Sequence, residues 1–111
     1  MMNNISGLTV ILPTINEEKN LKILIPQIVS EFKEINLNNY EILVVDDNSN
    51  DKTTELINKL SANNEKIKIF NRHTKPSLPM SIWDGISQSQ YDFVSWLDAD
   101  GSMPAETLKI L

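Results

Sequence analysis

The chain has 111 residues, 41% of them apolar and 23% charged, which is the length of one small domain and the balance of an ordinary globular protein. Its 10 Lys and Arg against 15 Asp and Glu give a formal charge of −5, which argues against nucleic acid as a partner, since binding one usually needs a basic face. The absence of cysteine excludes disulfides, zinc–thiolate sites and thiol nucleophiles.

Met1-Met2-Asn3-Asn4 carries no basic leader region, and the first apolar run, Leu8 to Leu12, is far too short to cross a bilayer. A cytoplasmic location is the expectation. Leu8, Val10, Ile11 and Leu12, stopped by Pro13, read as a buried strand. Asn16-Glu17-Glu18 opens a helix with acidic residues in its first turn, as the helix dipole favours. Leu21, Leu24, Ile25, Ile28, Val29 and Phe32 recur at helical spacing, and Pro26 inside that stripe predicts a kink or two shorter helices.

Glu41 to Val45 form a second buried strand ending in Asp46-Asp47. Asn48 to Asp51 carry loop and N-cap chemistry, and Thr53, Leu56, Ile57 and Leu60 give the next helix its apolar face. Ile67 and Ile69 mark a third strand. Beyond the basic loop Arg72 to Pro76, residues Leu78, Ile82, Trp83 and Ile86 form another helical stripe. Phe93 to Leu97 read as a fourth strand running into Asp98-Ala99-Asp100, and Pro104 suits the first position of a further helix. Leu108 and Leu111 need something to pack on, so residues 1–111 are expected to form one truncated domain, or half of one.

Such alternation predicts an α/β fold, a Rossmann-like, mostly parallel sheet of about four strands with helices on both faces. Parallel sheets place ligands beyond the carboxyl ends of their strands. Pro13 to Glu17, Asp46-Asp47 and Asp98 to Asp100 follow three such ends, so topology alone brings them to one edge.

Two carboxylates one residue apart after an apolar strand make a compact anionic pair. Hard cations such as Mg²⁺ or Mn²⁺ take oxygen ligands, often one or two carboxylates plus phosphate oxygens. Asp98 and Asp100 therefore suit a metal bridging to a diphosphate; the plainer alternative is a loop capping the next helix. Asp46-Asp47 either caps the helix near Asp51 or faces a ligand. His73 reads as a surface residue. Arg72 and Lys75 fit a solvated loop or a phosphate contact equally, and Trp83 and Trp96 occupy apolar positions expected in the core. Ser6-Gly7 and Asp84-Gly85 are turn or packing features, and no glycine-rich phosphate loop is present.

Taken together, Val10 to Leu21, Val44 to Asp51, Leu78 to Gly85 and Leu97 to Asp100 resemble glycosyltransferase family 2, and within it the dolichyl-phosphate mannose synthase-like group of polyprenyl-phosphate sugar synthases. Each motif is weak alone, but their order and spacing match over nearly the whole chain. The resemblance implies the nucleotide-binding half of an A-type glycosyltransferase fold, with the acceptor half and its catalytic base absent. It implies a GDP- or UDP-linked sugar donor, a hexose such as mannose or glucose, and a polyprenyl or dolichyl phosphate as acceptor. By motif position Pro13, Ile15 and Glu17 would line base and ribose, Val45 and Asp47 would continue that pocket, and Asp98 and Asp100 would hold Mg²⁺ or Mn²⁺ and the diphosphate, with Ala99 lending backbone contacts. Ile15 stands where an aromatic usually stacks on the base, Ser77 where a Gly precedes the helix leucine, and Ser102 where some members have Gln. A peripheral place at the cytosolic membrane face, self-association, or pairing with the missing half would follow.

Two other readings compete. Leu97 to Ser102 also resembles the nucleophile motif of haloacid dehalogenase-type phosphatases, although that motif normally follows a first strand and further catalytic residues come after it. The chain would otherwise be a donor-binding fragment without turnover.

Overall fold

The computed structural model describes residues 7–99. Within them lie β1 (Leu8–Thr14), α1 (Glu18–Glu34), β2 (Tyr40–Asp46), α2 (Thr53–Asn63), β3 (Ile67–Asn71), α3 (Leu78–Gln88) and β4 (Phe93–Trp96). The strands form one sheet in the order β3-β2-β1-β4, and each neighbouring pair is parallel. This is the expected α/β architecture. The segment around Pro104 and the final leucines lie outside the described residues.

Successive strand residues point to opposite faces, and the two faces are covered differently. Val10, Leu12, Ile42 and Val44 join Leu21, Leu24, Ile25, Ile28 and Phe32 of α1 and Ile57 of α2 in the main core. Burying each large aliphatic side chain contributes roughly 1.5–3 kcal/mol, so α1 owes its stability to that stripe more than to propensity. Ile11, Leu43 and Val45 face the other way and pack with Phe70, where α3 crosses β1 and β2.

Of the two outcomes expected at Pro26, two shorter helices are ruled out, and one expectation about α3 is corrected. Pro26 does not divide α1, which runs unbroken for 17 residues. The proline lies on the exposed side, where the Lys22 carbonyl that loses its partner can be hydrated. In α3 the apolar stripe does not face the sheet. The buried residues are Ser81 and Gly85, and a Cβ at Gly85 would come within 2.8 Å of the Ile11 side chain. A small-residue ridge thus lets the helix lie close on β1.

The outward consequence is that Trp83 is 62% exposed and Trp96 40% exposed, not core residues as expected. Leu78, Met80 and Ile86 of α3 and Phe93 and Val94 of β4 are exposed with them. Among the described elements β4 pairs only with β1 and no helix packs on it, which leaves Phe93, Val94 and Trp96 exposed. Among the described residues no helix is long and apolar enough to cross a membrane.

The chain leading into β4 is held from below. Glu41 of β2 is buried, accepts from Thr9 Oγ1 at 2.7 Å and from Lys68 Nζ at 2.9 Å, and also accepts from the Gln90 backbone N–H. Lys68 Nζ donates in turn to Gln90 Oε1 at 3.0 Å. Burial disfavours the charged form of Glu41, but the Gln90 amide, the Lys68 ammonium and the Thr9 hydroxyl outweigh it and lower the carboxyl below its ordinary value of 4.5.

A depressed folded value means that the unfolded chain takes up a proton first as the medium is acidified, so the Glu41 contribution is present above the ordinary value and is lost as pH falls through the folded one. Urea unfolding is expected to show stability declining from about pH 4.5 downward. Glu41→Gln should be less stable than the wild type at neutral pH and decline less steeply in acid; equal slopes would remove Glu41 as the cause.

Candidate functional site

In the order β3-β2-β1-β4 the connection from β1 leads one way and the return to β4 the other. A crevice opens beyond the carboxyl ends of strands at such a reversal. Here it is a cleft of about 290 Å³ lined by Pro13, Thr14, Ile15, Glu17, Asp47, Pro76, Ser77, Leu78 and Asp98. The end of β1 forms its floor, the start of α3 one wall, and the residue two beyond β4 the other.

Asp46 and Asp47, at the end of β2, are both buried but serve different neighbours. Asp46 accepts from Thr14 Oγ1 at 2.8 Å and from Ser49 through both its backbone N–H and its hydroxyl. Asp47 accepts from Arg72 Nη1, from the Ser77 backbone N–H at 2.6 Å and from Ser81 Oγ at 3.1 Å. A carboxylate offers about four lone-pair directions, so Asp47 enters the cleft with roughly one left.

Arg72 is the residue whose role sequence leaves open, and it is neither a solvated loop residue nor a free phosphate contact. It is buried, with Nε donating to Asp84 at 2.8 Å and Nη2 to Thr74 Oγ1 at 3.0 Å. The Asp84 hydrogen bond chiefly, against the cost of burial and with Asp47 adding to it, raises its pKa above the ordinary guanidinium value. One cation thereby joins β2, the loop after β3, and α3. His73 and Lys75 are exposed, the former as expected.

Of the residues expected at a site, Pro13, Ile15, Glu17, Asp47 and Asp98 line the one cleft. Val45 does not: its side chain is fully buried against Ile11 and Leu43, because strand alternation turns it under α3. The Ala99 side chain is likewise in the main core, and Asp100 lies outside the described residues. Thr14, Pro76, Ser77 and Leu78 join the lining without having been singled out as site residues; their signal is topological, since a helix start following a strand end must lie on the ligand edge.

Among the described residues no three His, Cys, Asp or Glu side chains gather to hold a metal. Asp98, half-buried at the cleft wall, is a single hard-oxygen donor. That fits a cation such as Mg²⁺ or Mn²⁺, which completes its shell with phosphate oxygens and water, better than a cage made wholly of protein.

The sequence model of the family described as Glycosyl transferase family 2 matches residues 9–111. The chain is 32% identical over 111 residues to the undecaprenyl-phosphate 4-deoxy-4-formamido-L-arabinose transferase of Pectobacterium atrosepticum, covering 97% of this chain and 33% of that protein. It is 34% identical over 100 residues to the dolichol-phosphate mannosyltransferase of Pyrococcus furiosus, covering 90% and 27%. It therefore spans about a third or less of the length of these curated relatives. Among solved structures, S. aureus TarS in complex with UDP superimposes with a TM-score of 0.69 at 29% identity, covering 94% of this chain and 30% of that one. The mannosyltransferase PcManGT from Pyrobaculum calidifontis, solved with GDP-Man and Mn²⁺, shares the fold at a TM-score of 0.71 and 20% identity, covering 91% and 30%.

Breaking a buried ion pair from one side strands the remaining charge, whereas removing both partners does not. Asp47→Ala and Arg72→Ala are each expected to lower the thermal midpoint by several degrees, and the double variant to lose clearly less than the two together. Additive losses, read by circular dichroism, would mean that the pair does not act as a unit.

Proposed function

The chain belongs to glycosyl transferase family 2, and from that premise we propose that it binds a nucleoside-diphosphate sugar in the cleft at the end of β1, as the donor half of a glycosyltransferase. The single observation that supports this most is the convergence on one cleft of Pro13, Ile15, Glu17, Asp47 and Asp98, drawn from three separate strand ends. Pro13, Ile15 and Glu17 would line the base and ribose, with Asp47 at the base edge beside Arg72. Val45 would support that pocket from the core beneath it.

Asp98 and Asp100 would hold Mg²⁺ or Mn²⁺ against the diphosphate, with the Ala99 backbone between them. The metal, when bound, offsets the negative charge that develops on the departing diphosphate. The rest is done by the chain's own groups: the β1–α1 loop orients the nucleoside, and Asp98 fixes where the phosphates lie relative to it. An acidic chain can bind so anionic a ligand because the cation, not the protein, supplies the positive charge.

The transferred group would be a hexose such as mannose or glucose, and the acceptor a polyprenyl or dolichyl phosphate, in keeping with the lipid-phosphate transferases that this chain resembles. The exposed apolar side chains of β4 and α3 offer the surface for such an acceptor half, at the cytosolic face of a membrane. Family membership displaces the phosphatase reading of residues 97–102.

Ligand that binds only the native state raises its stability, by about 2.7 kcal/mol at a hundred times Kd. UDP or GDP is expected to raise the thermal midpoint of the chain in the presence of Mn²⁺, and Asp98→Asn to remove the Mn²⁺-dependent part of the rise. No shift with either nucleotide, with or without Mn²⁺, would refute donor binding. Ile15→Tyr should tighten the same nucleotide on the order of tenfold, within the range of base–aromatic stacking, as measured by calorimetry.

A further inference from the structure

The loop between β1 and α1 is not held by the core. Ile15 is 47% exposed, and Glu17, the residue preceding α1, gives the helix no side-chain cap. Lys52, preceding α2, likewise gives none. Asp51 of its own loop accepts from the Thr53 backbone N–H at 3.0 Å, and beyond that local bond a set of hydrogen bonds ties the two loops together across more than thirty residues of sequence.

Asn16 is at the centre of it. Its φ is 55°, a left-handed conformation that Asn tolerates better than other side chains with a Cβ. In that pose its Oδ1 accepts from the backbone N–H groups of Asn50 at 2.7 Å and Asp51 at 3.2 Å. Its own backbone N–H donates to Ser49 Oγ at 2.8 Å. The reverse contacts come from the helix starts: Asp51 Oδ2 accepts from the Glu18 N–H at 3.2 Å, and Glu18 Oε1 from the Lys52 N–H at 3.3 Å. Each helix start is thus capped from the other's loop.

The residues on either side of Asn16, Ile15 and Glu17, line the cleft, as does Asp47 at the root of the second loop, while Asn16 itself does not. We propose that Asn16 is a positioning residue for the nucleotide: it clamps loop 15–17 to loop 48–52 and so fixes Ile15 and Glu17 at the distance from Asp47 that the ligand meets. The inference rests on the donor-site reading of the cleft. It adds to that reading a residue that touches no ligand and sets affinity by keeping the rim preformed. A ligand's apparent affinity falls in proportion to the fraction of protein that is binding-competent, so an unclamped loop weakens binding without removing any contact to the nucleotide. A residue that only capped helices would change stability and leave the dissociation constant alone.

The test uses the 111-residue chain with UDP and GDP in Mn²⁺, by calorimetry at a temperature where circular dichroism shows each variant folded. Asn16→Gly keeps the left-handed backbone and removes the acceptor; if the competent fraction drops to a tenth, Kd weakens about tenfold. Asn16→Asp keeps both the acceptor and the tolerance for positive φ, and is expected to restore binding to within about threefold of wild type. Ser49→Ala weakens the clamp from the opposite loop, and on the Asn16→Gly background should add less than it does alone. Should Asn16→Gly fail to fold, Ser49→Ala is read in its place. Wild-type Kd in the glycine variant, with only the melting temperature lowered, would overturn the inference. If the wild type binds neither nucleotide, the donor-site reading falls and this inference with it, so the two failures are distinguishable.

Discussion

The carboxyl end of β2 carries two buried carboxylates in succession, and the two-residue period of a strand sends them to opposite faces of the sheet. Asp46 shares its face with Ile42 and Val44 and gathers the ends of β1 and the β2–α2 loop; Asp47 shares its face with Leu43 and Val45 and gathers Arg72 and the start of α3. Burying a carboxylate without hydrogen-bond donors is costly. Each therefore dictates where donors must stand, and those donors belong to the segments that enclose the cleft. Much of the site's shape is thus a consequence of satisfying two adjacent negative charges.

Such a scheme divides the acidic groups at this edge into two populations. Asp46 and Asp47 are consumed by protein donors, among them one arginine that is itself shared with Asp84. Asp98 and Glu17 are half-buried at the cleft surface and free of that internal demand, although Glu17 also accepts from the Asn20 side chain at 2.7 Å. Four acidic residues reaching one edge overstate the charge on offer there. The arrangement suits a ligand that brings its own cation better than one that needs a strongly anionic trap.

The alternation of strands and helices was legible in the sequence because the central strands are short unbroken apolar runs and α1 keeps a full helical stripe. What was not legible is which side of an element faces inward. The stripe Leu78, Ile82, Trp83 and Ile86 has the spacing of a buried face, yet only Ile82 of the four is even half-buried and α3 packs through Ser81 and Gly85, since only small residues permit the approach to Ile11. Phe93 to Trp96 has the composition of a central strand and stands at an edge of the sheet among the described strands, and pattern cannot report how many neighbours a strand has. At the site, the strand-end positions of Pro13, Asp47 and Asp98 followed from topology. The burial of Arg72 did not, because the partners that neutralise it are 12 and 25 residues away, and the same distance hides the bonds of Asn16. Nor was the seclusion of Val45 legible: it shares a strand face with Asp47, but two residues further back along β2 it is packed against Ile11, Leu43 and Phe70.

Among the described strands β4 is the shortest, four residues paired with β1 alone, and Asp98 stands two residues beyond its end. Local opening is easiest where backbone bonds are fewest and most exposed. Asp98 is therefore mounted on the most compliant strand of the described sheet, whereas Pro13 and Asp47 stand at the ends of its two best-braced strands. Any second neighbour added along the free side of β4 stiffens the mount without touching the cleft. The two walls of the one cleft are consequently set by different parts of the sheet, one firmly braced and one free to yield.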